Sequence, residues 1–302
     1  MKKQILLYSF LFVFFIILIN LVFFLVRYIN LENKSEQYLE SDDFILAVSK
    51  NVEALDEVGP PTSFTEGLPE KKIAIVIDDL GKRTVRYYLL DMLPYKVNVA
   101  IIPGEMHSQE LAKHYAEKGN YEILMHMPME PFATKEDKES KQSKIEGYAY
   151  AIISGDNKTA ITNKLDVALD SLYGNTVVSG INNHMGSLIT SSRPMVDIIS
   201  KWAKKKKLYV LDSLTTPSSI LYEQARKKGV KAAYNQVFLD SFDDIAHIKN
   251  QLSKVEKIAS RDGSVIAIGH INRANTLEVL FEWMPQAIED GYSLSFVSEI
   301  AQ

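Results

Sequence analysis

The chain has 302 residues, 46% hydrophobic and 24% charged, with a formal charge of −4, a composition that excludes disorder throughout. Its acidic balance offers no basic stripe for a phosphate backbone, and the lysine run at 204–207 is too local to reverse that, so nucleic acid is not expected as a partner. With no cysteine, disulfides, thiolate nucleophiles, Cys-ligated zinc and iron–sulfur clusters are excluded together, and a metal has only His and carboxylate to hold it.

Residues 5–26 carry no charge, and at a helical rise of ~1.5 Å per residue they match the ~30 Å hydrocarbon core of a bilayer. A transmembrane anchor is predicted over 1–29. A cleaved signal peptide fits less well, because the run exceeds the ~7–15 residues of a signal core and no small-x-small site follows. Lys2 and Lys3 outweigh Arg27, so the N-terminus is expected in the cytoplasm and the rest beyond the membrane. Residues 30–71 are polar, with Gly59, Pro60, Pro61 and Pro69 as breakers, and read as a linker. Inside it, the apolar spacing over 44–55 allows a short amphipathic helix.

From Lys72 a different rhythm begins. Apolar runs at 73–77, 97–101, 122–125, 177–181, 208–211, 232–239, 265–268 and 294–297 alternate with helical patterns at 111–118, 160–172, 194–206, 245–260 and 276–288. Most runs are continuous rather than alternating, as in strands buried on both faces. Strand and helix alternating this often predict one α/β domain over 72–302 with a mainly parallel sheet, curled into a barrel of seven or eight units. The span 132–156 breaks the rhythm with a mixed-charge stretch lacking apolar residues, read as a surface loop after the third strand.

In a parallel barrel, catalytic groups come from the C-terminal ends of the strands. Here six runs end in polar groups: Asp78-Asp79, His126 with Glu130, Asn182-Asn183-His184, Asp212, Asp240 and His270. A single Asp after a strand often caps the next helix, the simplest reading of Asp212 or Asp240 alone. Two adjacent carboxylates ending a buried strand repel each other and lose solvation, a cost that a cation, a shared proton or hydrogen bonds offset. Three histidines at matching strand ends beside that pair point to a metal or acid–base site, whereas His107, His114 and His247 fall in helical stretches. Imidazole plus carboxylate without thiolate suits Zn²⁺, and also Fe²⁺, Co²⁺ or Ni²⁺.

At these segments the sequence resembles the polysaccharide deacetylase superfamily, specifically its divergent branch of bacterial extracytoplasmic proteins. The likeness runs from about Lys72 to Gln302 and rests on IleAlaIleValIleAspAspLeuGly, LeuMetHisMetProMetGluPro, GlyIleAsnAsnHisMetGlySer, LeuTyrValLeuAspSer, ValPheLeuAsp and AlaIleGlyHis in this order. The resemblance implies a distorted (β/α) barrel with a metal-dependent deacetylase site. It assigns Asp78 as general base, Asp79 and His126 as metal ligands, His270 as general acid and Asp212 as an orienting acid. The family's second motif histidine is replaced here by Glu130, which leaves His184 as candidate third ligand and Glu130 as the alternative. The implied setting is the inner membrane facing the periplasm, with peptidoglycan or another N-acetylated envelope glycan as substrate. Two other readings stay open: a silent barrel that binds glycan or an envelope protein, and a metal-free glycoside hydrolase using Glu130 and Asp212.

Overall fold

A computed structural model describes residues 70–302 apart from 83, 85, 135–144 and 146. The expected anchor, the linker up to residue 69 with its amphipathic helix, and the centre of the charged loop lie outside the described residues; Lys71, expected in the linker, already belongs to the first strand. Among those described, no helix is long and apolar enough to cross a membrane.

The strands are β1 (Lys71–Leu80), β2 (Val97–Ile101), β3 (Tyr121–Met129), β4 (Val178–Met185), β5 (Tyr209–Asp212), β6 (Ala232–Tyr234), β7 (Val237–Phe238), β8 (Ser264–His270) and β9 (Tyr292–Leu294). The helices are α1 (Tyr87–Asp91), α2 (Ser108–Ala116), α3 (Lys158–Asp170), α4 (Ser187–Thr190), α5 (Arg193–Lys206), α6 (Leu221–Lys227), α7 (Ile245–Asp262) and α8 (Thr276–Glu289). All pairings are parallel, in the order β6-β5-β4-β3-β2-β1-β8-β7, with β9 also on β1.

The sheet curls, but among the described residues no ladder joins its two ends. The run 232–239, expected as one strand, is two short ones. β6 pairs with β5 and β7 with β8, and the chain changes partner at Asn235 and Gln236. The Asn235 N–H donates to Asp212 O at 2.9 Å, while the Gln236 N–H donates to Ile266 O at 3.0 Å. The Gln236 side chain accepts from the Ile266 N–H at 2.9 Å. Two backbone N–H groups and the Gln236 side chain thus bridge the gap that a longer strand would have closed.

Strand alternation divides the core. Ile73, Ile75, Ile77, Val97, Val99 and Ile123 pack in the larger cluster with the helices, whereas Ala74, Val76, Ala100, Leu124, Leu211, Ile266 and Ile268 form a second cluster inside the curl. α5 shows why the helices settle there. Pro194 suits its first turn, Met195, Val196, Ile199, Trp202 and Ala203 make one buried stripe, and Lys207 ends it in the left-handed region at φ 59°. The C-terminal segment closes the end of the curl away from the strand tips. The Val297 N–H donates to the buried Asn98 at 2.8 Å and the Ser298 N–H to the buried Glu122 at 3.1 Å.

Candidate metal centre

The inward rows of the strands end in chemistry. Ala74 and Val76 lead to Asp78, Leu124 leads to His126, Gly180 leads to Asn182 and His184, and Ile266 and Ile268 lead to His270. A two-residue period along each strand therefore gathers these side chains at one mouth. β3 and β4 run on past their apolar stretches, so His126, Asn182 and His184 lie within strands rather than after them. Asp79 breaks the parity. Its φ is 68° and the β1–β2 register shifts between Ile77 and Leu80, a bulge that turns two successive carboxylates toward the same histidine. Left-handed backbone at such a residue costs about 1–3 kcal/mol and recurs at functional sites.

Asp79 Oδ1 lies 2.9 Å from His184 Nδ1 and 3.3 Å from His126 Nε2, and the two nitrogens are 3.2 Å apart. Two tetrahedral ligands each ~2.0–2.1 Å from a zinc ion stand about 3.3 Å from one another, so these separations fit a shared ion. Asp79 Oδ1 is buried without a well-directed hydrogen-bond partner. Burial opposes its charge, yet His126 and His184 hold Asp79 far below the usual carboxylate range. Among the described residues, Asp79, His126 and His184 are the set able to hold a metal jointly.

Neighbours orient these donors. Asn182 Nδ2 donates to both Asp78 oxygens at 3.0 and 3.2 Å, so its Oδ1, 2.9 Å from His126 Nδ1, accepts the proton there. His126 is left with Nε2 toward Asp79, the outer-shell arrangement that fixes a metal-binding tautomer. Asn272 Nδ2 donates to Asp79 Oδ2 at 3.0 Å, leaving Oδ1 for the ion. The Tyr148 ring packs 4.9 Å from that of His184.

Two titratable groups flank the donors. Burial raises the Asp78 pKa, against the opposing pull of His126 and His270. The β1–β8 register sets His270 beside Asp78. His270 Nδ1 is 2.7 Å from Asp240 Oδ1, and Asp240 Oδ2 accepts from the His270 N–H at 2.6 Å and the Thr276 hydroxyl at 2.7 Å. Burial disfavours the His270 cation, but the bond and charge of Asp240 outweigh it and push the pKa up to about 9. An unfolded histidine releases its proton near 6.5. The pair therefore stabilises the fold fully below that pH, and the contribution fades as pH rises through about 9. Asp240→Asn is expected to bring the His270 midpoint well below about 9, read by NMR titration of its ring proton. An unmoved midpoint would show that Asp240 does not hold the charge.

Three sequence assignments change. Among the described residues, the Asp212 carboxylate is bonded to none of the other candidate catalytic groups. Its oxygens accept from the Leu214 N–H, the Ser219 hydroxyl and the Tyr222 N–H at 3.0, 2.7 and 3.1 Å, pinning the loop that leads into α6. Asp240, read as a cap, is the acid that grips His270. Glu130 stands apart from the metal donors, its carboxylate accepting the Ser154 N–H at 2.5 Å. Glu130 and Asp212 thus each accept bonds from loop groups, which gives the glycoside hydrolase reading no support. The role of Asn182 is not legible in the sequence, because an amide at a strand end carries no charge signal. His107 and His114 face Glu110 and Asp91 on the surface.

Residues 75–301 match the family described as divergent polysaccharide deacetylase. The chain belongs to this family. It is 33% identical over 210 residues to the uncharacterized protein YibQ of Escherichia coli K12, a match covering 69% of this chain and 61% of that one. The chain thus spans about three-fifths of the length of YibQ. An uncharacterized Haemophilus influenzae protein is 28% identical over 229 residues, 76% of each chain. The crystal structure of an uncharacterized Agrobacterium tumefaciens C58 protein superposes with a TM-score of 0.68 at 19% identity, over 84% of this chain and 95% of that one, which shows a shared fold.

Proposed function

We propose that this family member is a metal-dependent hydrolase that removes acetyl groups, from nitrogen or oxygen, of an envelope glycan such as peptidoglycan. The observation that carries the reading is the convergence of Asp79, His126 and His184 beside a buried Asp78 and a charged His270. A divalent ion bound there, best Zn²⁺ for one carboxylate and two imidazoles, would polarise the acyl carbonyl and acidify water. Asp78, its pKa raised by burial, accepts the proton of the attacking water. His270, kept protonated by Asp240, delivers a proton to the departing sugar nitrogen. Asn182 touches both Asp78 and His126 and keeps base and ligand in register. In the same reading, residues 5–26 anchor the chain in the inner membrane and the barrel faces the periplasm.

A silent glycan-binding barrel would have use for the fold but none for the Asp240–His270 pair, whose buried charge supports hydrolysis. The test is acetate release from N-acetylated peptidoglycan fragments by the zinc-loaded full chain. Release above the metal-free background is expected. Fragment binding without release would hand the assignment to the silent barrel.

A further inference from the structure

A cleft of about 270 Å³ opens beside the metal donors, and Asp79, Lys82, Thr84, Arg86, Tyr148 and Asn272 line most of it. Asp79 is the single acid on this wall, and its charge is already engaged by two imidazoles. Two cations line the same cleft. Arg86 is half-buried and pairs with no acid among the described residues. Lys82 Nζ is 3.8 Å from Glu105, too far for a hydrogen bond, and sits 5.1 Å over the Tyr148 ring, whose other contact is His184. The lysine is exposed, but its ammonium rests on the ring that also packs against His184.

We infer that this cleft receives an anionic substituent of the substrate, a carboxylate or phosphate carried near the acylated nitrogen, clamped by Lys82 and Arg86. The inference rests on the hydrolase reading only for the placement of the acyl group. Guanidinium forks match the paired oxygens of carboxylate and phosphate, and a free one in a cavity wall is unfilled capacity for such a group. A neutral sugar chain would draw only ordinary hydrogen bonds from the two cations, roughly half as strong as those to an anion. An ion at Asp79, His126 and His184 would leave the cleft more positive still. On an amino sugar the carbon next to the one bearing nitrogen can carry an acidic ether, within the reach of so small a cleft, whereas a 6-phosphate lies across the ring.

The test is ligand-observed NMR titration of the zinc-loaded full chain with N-acetylglucosamine, N-acetylmuramic acid and N-acetylglucosamine 6-phosphate. Wild type is expected to bind at least one anionic sugar about tenfold or more tightly than the neutral one. The K82Q/R86Q double variant is expected to erase that preference while binding N-acetylglucosamine as before. Tighter binding of the muramic acid assigns the anion to the neighbouring carbon, and tighter binding of the phosphate assigns it to the far side of the ring. Equal binding of all three, no binding of either anionic sugar, or a preference that survives in the double variant overturns the clamp. Acetate release is measured separately, so a silent barrel that still selects anionic sugars would sink the hydrolase reading and leave the clamp standing.

Discussion

His184→Ala is expected to lose zinc that the wild-type chain retains at one ion per chain after gel filtration, while Glu130→Ala retains it fully. Asp79 Oδ1, His126 Nε2 and His184 Nδ1 are mutually within 3.3 Å, so each variant of these three deletes a donor that the other two cannot replace. Even outer-shell partners of metal ligands typically contribute 10–100-fold in affinity, so deleting a ligand should weaken binding by more than about 100-fold. Glu130 already spends its carboxylate on the Ser154 N–H. A chromophoric chelator in competition reads the difference. Affinity should also fall as pH drops. Burial disfavours a charged His126, but Asp78 and Asp79 raise its pKa, so an ion must displace a proton from Nε2, and acid favours the proton. Equal retention by His184→Ala and wild type would remove this histidine from the centre.

The alternation of apolar runs and amphipathic stretches is enough to read a parallel α/β sheet, because strands covered on both faces must be apolar throughout, but the expected barrel of seven or eight units is a curled sheet whose ends do not pair among the described residues. Ile73 to Ile77 are all fully buried. What escaped were features set by tertiary contact. α1 and α6 are too short to show a helical period. β3 and β4 continue through residues that look like loop in isolation, because a polar mouth tolerates Asn182 and His184 where a core would not. The break at Asn235 and Gln236 depends on which strands stand at either end of the curl, and no local pattern records that.

The site was legible as a set of positions and less so as a set of partners. Asp78, Asp79, His126, His184 and His270 stood out because charged groups directly after buried runs are costly without compensation. Asp212 and Asp240 occupy equivalent strand ends, so nothing local separates an acid that pins a loop from one that grips a histidine. The difference is tertiary: β8 runs beside β7 and brings His270 to Asp240, while the Asp212 carboxylate, between β4 and β6, is taken up by Leu214, Ser219 and Tyr222 of its own loop and helix. Asp79 shows the same limit. The two-residue period alone sends it away from Asp78, and only the bulge at φ 68° returns it.

Asp78→Asn and His270→Gln should each lower the rate of acetate release from an N-acetyl sugar by about 10²–10⁴ at saturating zinc, where the site stays filled because neither side chain is among the three donors. The two losses should separate on a second substrate. An amide nitrogen cannot depart as an anion, so acyl transfer from nitrogen needs the His270 proton, whereas an aryl acetate releases a stable phenolate without help. His270→Gln is therefore expected to recover most of wild-type turnover on the aryl ester, and Asp78→Asn to stay slow on both, because both need an activated water. The pH profile follows from the same assignment: Asp78 must be unprotonated and His270 protonated. A cation at Asp79 favours the Asp78 carboxylate and disfavours the His270 imidazolium, lowering both midpoints. The basic limb of the loaded enzyme should thus lie below the value of about 9 set by Asp240 in the metal-free chain, and His270→Gln should erase that limb on the amide. If His270→Gln instead slowed amide and aryl ester equally, the histidine would be acting on the attacking water or on folding, and the general-acid role would fall.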